Sequence, residues 1–247
     1  MNQMPRHRKH YALSFLLFSL LLLVLLFLYG TISKRLFSPA DTDAGARHSP
    51  QITVILDPGH GGEDGGAVGK NGVYEKDLNL SIAKKLSEQL TDMNVSVICT
   101  RTEDILLYDK TQDYKGKKKI LDLAARLKIA RDTENPIFIS IHMNAFSQTQ
   151  YSGLQVYYSK NDPRSEELAR CIQNAVQKEL QPTNTRKIKQ ASTNIYLLDR
   201  ITTPAILIEC GFLSNPEECA LLSTDEYQEE LTFLLADVIA EYVASLS

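Results

Sequence analysis

The 247 residues contain no tryptophan and only four cysteines. Cys99, Cys171, Cys210 and Cys219 show neither a CxxC pair nor a repeated spacing, so they are not read as a zinc cage or a disulfide framework. Free buried thiols are the expectation, although export leaves disulfide chemistry open. With no tryptophan and no second compact module after the main one, a separate carbohydrate-binding domain is not expected. Positive charge is scarce too. The formal charge is −3, and residues 1 to 50 hold six basic side chains against two acids. That leaves twenty-one basic side chains against twenty-eight acidic ones beyond residue 50, a balance of −7. An acidic domain excludes nucleic acid as its partner. Internal repeats and low-complexity blocks are missing, and past residue 50 histidine occurs only as His60 and His142.

What is present begins with a polar, basic stretch over residues 1 to 10, followed by an uncharged run from Tyr11 to Gly30 rich in Leu and Phe. At ~1.5 Å per residue such a run can cross a hydrocarbon core of about 30 Å. Arg6, Arg8 and Lys9 lie before it, which orients the amino terminus inside and the remainder outside the membrane; Lys34 and Arg35 weaken that bias slightly. A retained membrane anchor is preferred over a cleaved signal peptide, because Ala44-Gly45-Ala46, the A-x-A motif, lies well beyond the apolar run. Residues 31 to 50 read as a tether. Residues 51 to 247 then offer one α/β domain of ordinary size.

Within that domain, strand-like runs alternate with helix-like ones. Leu78, Ile82, Leu86 and Leu90 recur every fourth residue and predict a helix with one buried stripe. Helices are also expected over residues 120 to 131, 165 to 180 and 225 to 246. Strands are expected over 52 to 56, 95 to 100, 137 to 141, 153 to 158, 195 to 198 and 205 to 208. The alternation implies a sheet flanked by helices on both faces.

Two of these strands run into a histidine and one into an acid. Ile52 to Leu56 leads to Asp57-Pro58-Gly59-His60-Gly61-Gly62, Ile137 to Ile141 leads to His142, and Ala205 to Ile208 leads to Glu209. Each residue then sits at the carboxyl edge of the sheet, where open α/β folds place their sites. With Glu75, two histidines and two glutamates converge. Zinc hydrolysis needs such a set, because a catalytic zinc takes three protein ligands and keeps one position for water, while a separate carboxylate moves protons. Each residue also has a plainer reading. His60 can be a turn histidine in an anion-binding nest, and Glu75 an acid favoured at a helix start, with Asp77 as the cap. His142 can be a structural imidazole at a strand end, and Glu209 an ion-pair partner of Arg101 or Arg126. Asn144, two residues past His142, can orient substrate or cap the turn, and carries no catalytic role. Cys210 adjoins Glu209, but strand alternation points its sulfur to the other face.

The blocks Asp57-Pro-Gly-His-Gly-Gly, Glu75-Lys-Asp-Leu-Asn-Leu, Ser140-Ile-His-Met-Asn-Ala and Ile208-Glu-Cys-Gly-Phe-Leu-Ser-Asn215 resemble, in order, those of the zinc-dependent N-acetylmuramoyl-L-alanine amidases. They span nearly all of residues 52 to 245. The amino-terminal apolar segment, the basic insertion Tyr114-Lys115-Gly116-Lys117-Lys118-Lys119 and the stretch Asn184-Thr185-Arg186-Lys187 are similar to the germination-specific, spore-cortex branch of that family. Ala130-Arg131 departs from the Ala-Asn pair usual there.

The resemblance implies a single α/β domain with a mixed six-stranded sheet. It implies one zinc ion on His60, Glu75 and His142, with Glu75 rather than Asp77 or Glu63 as the carboxylate ligand, and Glu209 exchanging protons with water and the leaving amine. The substrate is then peptidoglycan, cut between the lactyl group of N-acetylmuramic acid and L-alanine on the outer side of the membrane, toward muramic δ-lactam in the cortex. Arg186 can meet substrate carboxylates through bidentate hydrogen bonds. Lys115 to Lys119 reads as a solvated loop, with contact to anionic wall polymer or a partner protein as the functional alternative. Competing classes are a zinc peptidase cutting within stem peptides, a non-catalytic wall-binding protein, and a membrane-tethered carbohydrate-binding protein made weaker by the missing tryptophan.

Overall fold

The computed structural model describes residues 51–109, 111 and 115–246, together with Leu20. The basic end, apart from Leu20 the apolar run, and the tether before residue 51 therefore lie outside the described residues. Among those described, no helix is long and apolar enough to cross a membrane.

Six strands form one mixed sheet. They are β1 (Thr53–Pro58), β2 (Ser96–Cys99), β3 (Pro136–Asn144), β4 (Gln155–Tyr158), β5 (Lys189–Gln190) and β6 (Ala205–Phe212), in the spatial order β2-β1-β3-β6-β4-β5. β1 runs parallel to β2 and β3, and β3 runs parallel to β6. β4 is antiparallel to β6 and parallel to β5. The central strands carry unbroken apolar runs because both of their faces are covered.

One face packs against α1 (Glu75–Asp92), α3 (Pro163–Ala175) and α6 (Asp225–Ser245). Here Val54, Leu56, Ile139, Ile206 and Ile208 meet the Leu78-Ile82-Leu86-Leu90 stripe of α1 and Leu231, Leu235 and Ile239 of α6. Each such side chain contributes roughly 1.5–3 kcal/mol by leaving water. The other face is covered by α2 (Lys118–Asp132) and α4 (Tyr196–Arg200), where Ile55, Phe138 and Leu207 pack on Leu127, Leu197 and Leu198. A short α5 (Pro216–Leu222) follows β6. Helix starts obey local chemistry. Asp162 accepts from the amide of Arg164 ahead of α3, Asn215 from those of Glu217 and Glu218 ahead of α5, and Thr224 from that of Tyr227 ahead of α6. Pro163 and Pro216 occupy first-turn positions where no amide is needed.

The strand expected over residues 195 to 198 is instead the first part of α4, closed by Asp199 N–H to Ile195 O and Ile201 N–H to Leu197 O. Four apolar residues satisfy either period, and here Leu197 and Leu198 reach the core from one helical turn. The sixth strand is β5, two residues long and exposed, pairing with Tyr157 and Tyr158. α1 begins without a side-chain cap. Its cap position is Tyr74, and Asp77 lies in the first turn.

Candidate active site

β1, α1, β3 and β6 bring their chemistry to one edge of the sheet. β1 leads through Gly59 into His60, whose φ of +61° is a left-handed conformation that few side chains adopt. Two arginines hold it by its backbone. Arg126 donates from Nη2 to His60 O (2.7 Å) and from Nη1 to Pro58 O (2.8 Å). Arg101 donates from Nε to Pro58 O and from Nη2 to Gly59 O, both at 2.9 Å. Asn79, one turn along α1 from Glu75, donates to Gly59 O at 3.1 Å.

Glu75 opens α1, where the helix dipole favours negative charge. Its Oε2 accepts from Ala67 N–H at 2.8 Å and its Oε1 from Met143 N–H at 3.1 Å. The same Oε1 lies 3.2 Å from His60 Nε2 and 2.9 Å from His142 Nδ1. His142 leans on Gly59, where a β-carbon would stand 2.2 Å from ring Nε2; only glycine allows this approach. One donor atom from each of His60, Glu75 and His142 lies within 4.8 Å of the others, an arrangement able to hold a metal ion. Behind it, His60 Nδ1 is 2.9 Å from Asp64 Oδ1, close enough for a charge contact but out of hydrogen-bonding geometry. Sequence reasoning missed Asp64; its only signal was the spacing of four residues from His60.

The charges fit this arrangement. Burial alone would push Glu75 up, but the two imidazoles beside it bring its carboxyl far below the usual range. Burial would likewise depress His60, yet Glu75 and then Asp64 raise it. Both effects describe the metal-free pocket.

Glu209 stands next to His142 across the β3–β6 ladder, in direct register. Burial, reinforced by the charge of Glu75 and opposed by the histidines, pushes its carboxyl up to about 7. Its Oε2 is buried and has no hydrogen-bond partner among the described residues. The arginines expected as ion-pair partners are engaged elsewhere. Arg101 holds loop carbonyls, and Arg126 pairs with Asp57 (2.6 Å) and Asp122 (2.8 Å). Cys210, the next residue, is buried on the opposite side, and burial drives its thiol far above the usual range, which removes it as a thiolate nucleophile.

Asn144 is buried at the end of β3, past a register shift that begins at His142, and its carbonyl accepts from Leu213 N–H. Arg186 lies outside the triad, in a cleft beyond β4, with its guanidinium 4.2 Å from the Phe212 ring. In the basic insertion, Lys118 pairs with Glu63 at 2.6 Å and Lys119 lies 3.6 Å from Asp64, so these two lysines attach to the loop carrying His60 rather than standing free.

Comparison with known proteins agrees with this geometry. Residues 54–241 match the N-acetylmuramoyl-L-alanine amidase family. The germination-specific N-acetylmuramoyl-L-alanine amidase of Bacillus subtilis is 36% identical over 230 residues, covering 93% of each chain. Among solved structures, the CwlD amidase from Clostridioides difficile in complex with the GerS lipoprotein superposes with a TM-score of 0.73 at 40% identity, covering 78% of this chain and 98% of that one. An N-acetylmuramoyl-L-alanine amidase from Clostridium difficile 630 gives a TM-score of 0.68 at 32% identity, covering 81% and 100%. With sequence blocks, sheet order and the His60–Glu75–His142 cluster all in agreement, the chain belongs to the N-acetylmuramoyl-L-alanine amidase family.

Proposed function

We propose that this amidase works with one zinc ion held by His60, Glu75 and His142, and that Glu209 carries the proton. The observation behind the reading is the unpartnered, buried Oε2 of Glu209 beside three convergent donor atoms. Two imidazoles and one carboxylate suit zinc, and the Asp64 carboxylate 2.9 Å behind His60 is placed to support that ring once zinc is bound. When bound, zinc polarises the amide carbonyl and lowers the pKa of water to near neutrality. Glu209 takes the proton that water gives up as its oxygen bonds to the lactyl carbonyl carbon. It then delivers that proton to the L-alanine nitrogen as the C–N bond breaks. That carboxyl is raised by burial in the metal-free pocket and drawn back down by a bound zinc, which leaves a group able both to take and to give the proton. Asn144 and Arg186 are assigned to substrate positioning.

The biological setting follows from the Bacillus subtilis relative, named as germination-specific and matched along almost its whole length. In this setting the enzyme acts outside the cytoplasm on cortex peptidoglycan, with residues 11–30 as its anchor. It strips stem peptides from selected muramic acids and leaves the lactyl carboxylates from which δ-lactam forms. The Clostridioides difficile relative was solved with a lipoprotein, and a partner protein for this chain belongs to the same proposal.

Digestion of defined muropeptides by the zinc-loaded protein tests the chemistry. Released stem peptides with an intact L-alanine amino terminus, and a glycan gaining a free lactyl carboxylate, are the expected masses. Cleavage inside the stem peptide would replace the amidase reading with a peptidase one. In spores lacking the gene, cortex without muramic δ-lactam is expected; normal lactam would remove the sporulation role.

A further inference from the structure

The cleft beyond β4 encloses about 820 Å³ and is lined in part by Tyr151, Gln155, Arg186, Lys187, Lys189 and Glu218. Three cations thus fall within four residues of sequence, and none forms an ion pair among the described residues. Glu218, the buried acid of the same cleft, is taken by the amides of Gly153 (2.8 Å) and Phe212 (2.7 Å).

Arg186 is fixed on several sides. Its Nε donates to Ser152 O at 2.7 Å, its Nη1 reaches Gln155 Oε1 at 3.4 Å, and its plane lies over Phe212. Its Nη2 makes no hydrogen bond among the described residues. Gln155 is buried and links the cation to the strand after it, donating to Lys187 O at 2.6 Å. A guanidinium held in this way loses little side-chain freedom on meeting an anion.

Register and one side-chain contact place this cation relative to the chemistry. His142 is opposite Glu209 on one side, and Gln155 is opposite Glu209 on the other. Directly opposite residues share a face of the sheet. A row therefore runs His142, Glu209, Gln155, and Arg186 joins it not by register but through the contact of its Nη1 with Gln155 Oε1. Gln155 lies one strand spacing of about 4.8 Å from Glu209, and the Arg186 guanidinium touches the far end of the Gln155 side chain, on the order of 10 Å from Glu209.

We infer that Arg186, with Lys187 and Lys189 beside it, forms a subsite for the free α-carboxylate of the second stem residue. This rests on the amidase reading and specifies its substrate. When that residue is glutamate joined onward through its γ-carboxyl, the α-carboxylate remains free. It lies about two residues of extended chain, ~7 Å, from the scissile nitrogen. Adding one charge-assisted hydrogen bond of about 2.8 Å spans the distance to Arg186. A neutral carboxamide there keeps one acceptor oxygen but loses the charge, and its NH2 cannot take the second hydrogen bond of a cation that only donates.

The test compares two muramoyl tripeptides, one with γ-linked glutamate and one with its α-carboxamide, digested by the zinc-loaded protein. The acid should be preferred by about tenfold or more in kcat/KM, carried mainly by KM, as expected for a charge-assisted contact. Arg186→Gln should erase the preference while kcat stays within about threefold, and Arg186→Lys should restore part of it. Because Arg186 also ties down Ser152, the double variant Lys187→Gln/Lys189→Gln is measured beside it and should halve the preference or more. Equal kinetics for the two substrates with wild-type protein would overturn the subsite. If neither were cleaved, the amidase reading would fail, and calorimetric titration with the two free tripeptides would still decide the subsite: equal affinity rejects it, tighter acid binding supports it.

Discussion

Arg126 and Asp57 form an ion pair, Nη1 to Oδ1 at 2.6 Å, that is buried on both sides beneath the loop carrying His60. Asp57 also accepts from Thr100 Oγ1 and Ser140 Oγ, each at 2.7 Å, so the residue after β2 and strand β3 are tied to β1 at the point where β1 turns into the site. Burial alone would raise the Asp57 carboxyl; the Arg126 charge and the two hydroxyls overcome it and hold the group below its ordinary value. The same guanidinium then grips the carbonyls of Pro58 and His60. Folding and site geometry share one residue.

Arg126→Met should therefore leave a buried, partly compensated carboxylate, at a cost on the order of 3–5 kcal/mol. The urea midpoint is expected to fall accordingly. Adding Asp57→Asn should recover part of the loss, because one of the two carboxylates left behind, those of Asp57 and Asp122, then carries no charge. An Arg126→Met protein with an unchanged midpoint would show that the pair contributes nothing net.

Metal binding and proton transfer should separate by mutation. His60→Ala and His142→Ala should purify without zinc and without activity, whereas Glu209→Gln should keep near-stoichiometric zinc. Activity of Glu209→Gln should drop by a factor on the order of 10² or more. Elemental analysis of each variant alongside its turnover checks both halves. A fully active Glu209→Gln protein would dismiss the assigned role.

Glycine is required at two points by close approach. A β-carbon on Gly59 would fall 2.2 Å from the His142 ring, and one on Gly66, where φ is +67°, would fall 2.5 Å from Glu75 Oε2. Gly59→Ala and Gly66→Ala should each displace a metal ligand at about 1–3 kcal/mol of overpacking. Loss of zinc affinity exceeding the loss of thermal stability is the expected signature. Zinc titration that matches wild type would mean that ring and carboxylate relax without consequence.

The parts of this molecule legible in sequence are those where one pattern admits one structure. The stripe Leu78-Ile82-Leu86-Leu90 became the buried face of α1, and the three strands ending near His60, His142 and Glu209 became β1, β3 and β6. Residues 195 to 198 were misread as a strand because four apolar residues carry no period. β5 was missed because Lys189 and Gln190 are polar and exposed, and it is a strand only through its pairing with β4. The triad was legible through its blocks. The supports were not: Arg101 and Arg126 act on backbone carbonyls, and a carbonyl leaves no mark in sequence. Gln155 takes its place in the row only through strand register.

The raised carboxyl of Glu209 gives a prediction that needs no substrate. In metal-free protein the group holds its proton up to about 7, against an ordinary value of 4.5 in the unfolded chain. Below 4.5 both states are protonated and the residue is neutral toward folding. Between the two values the unfolded chain releases its proton while the native state retains it, so stability falls as pH rises. Above 7 the native carboxylate is ionised and the full penalty is present, on the order of 3 kcal/mol from the size of the shift. Glu209→Gln removes that penalty. In chelator, the variant should match wild type at pH 4 and exceed it by on the order of 3 kcal/mol at pH 8 in urea denaturation. With zinc present the gap should narrow, because a nearby cation favours the ionised carboxylate. A variant equally or less stable than wild type at pH 8 in chelator would mean that Glu209 is solvated in the native state.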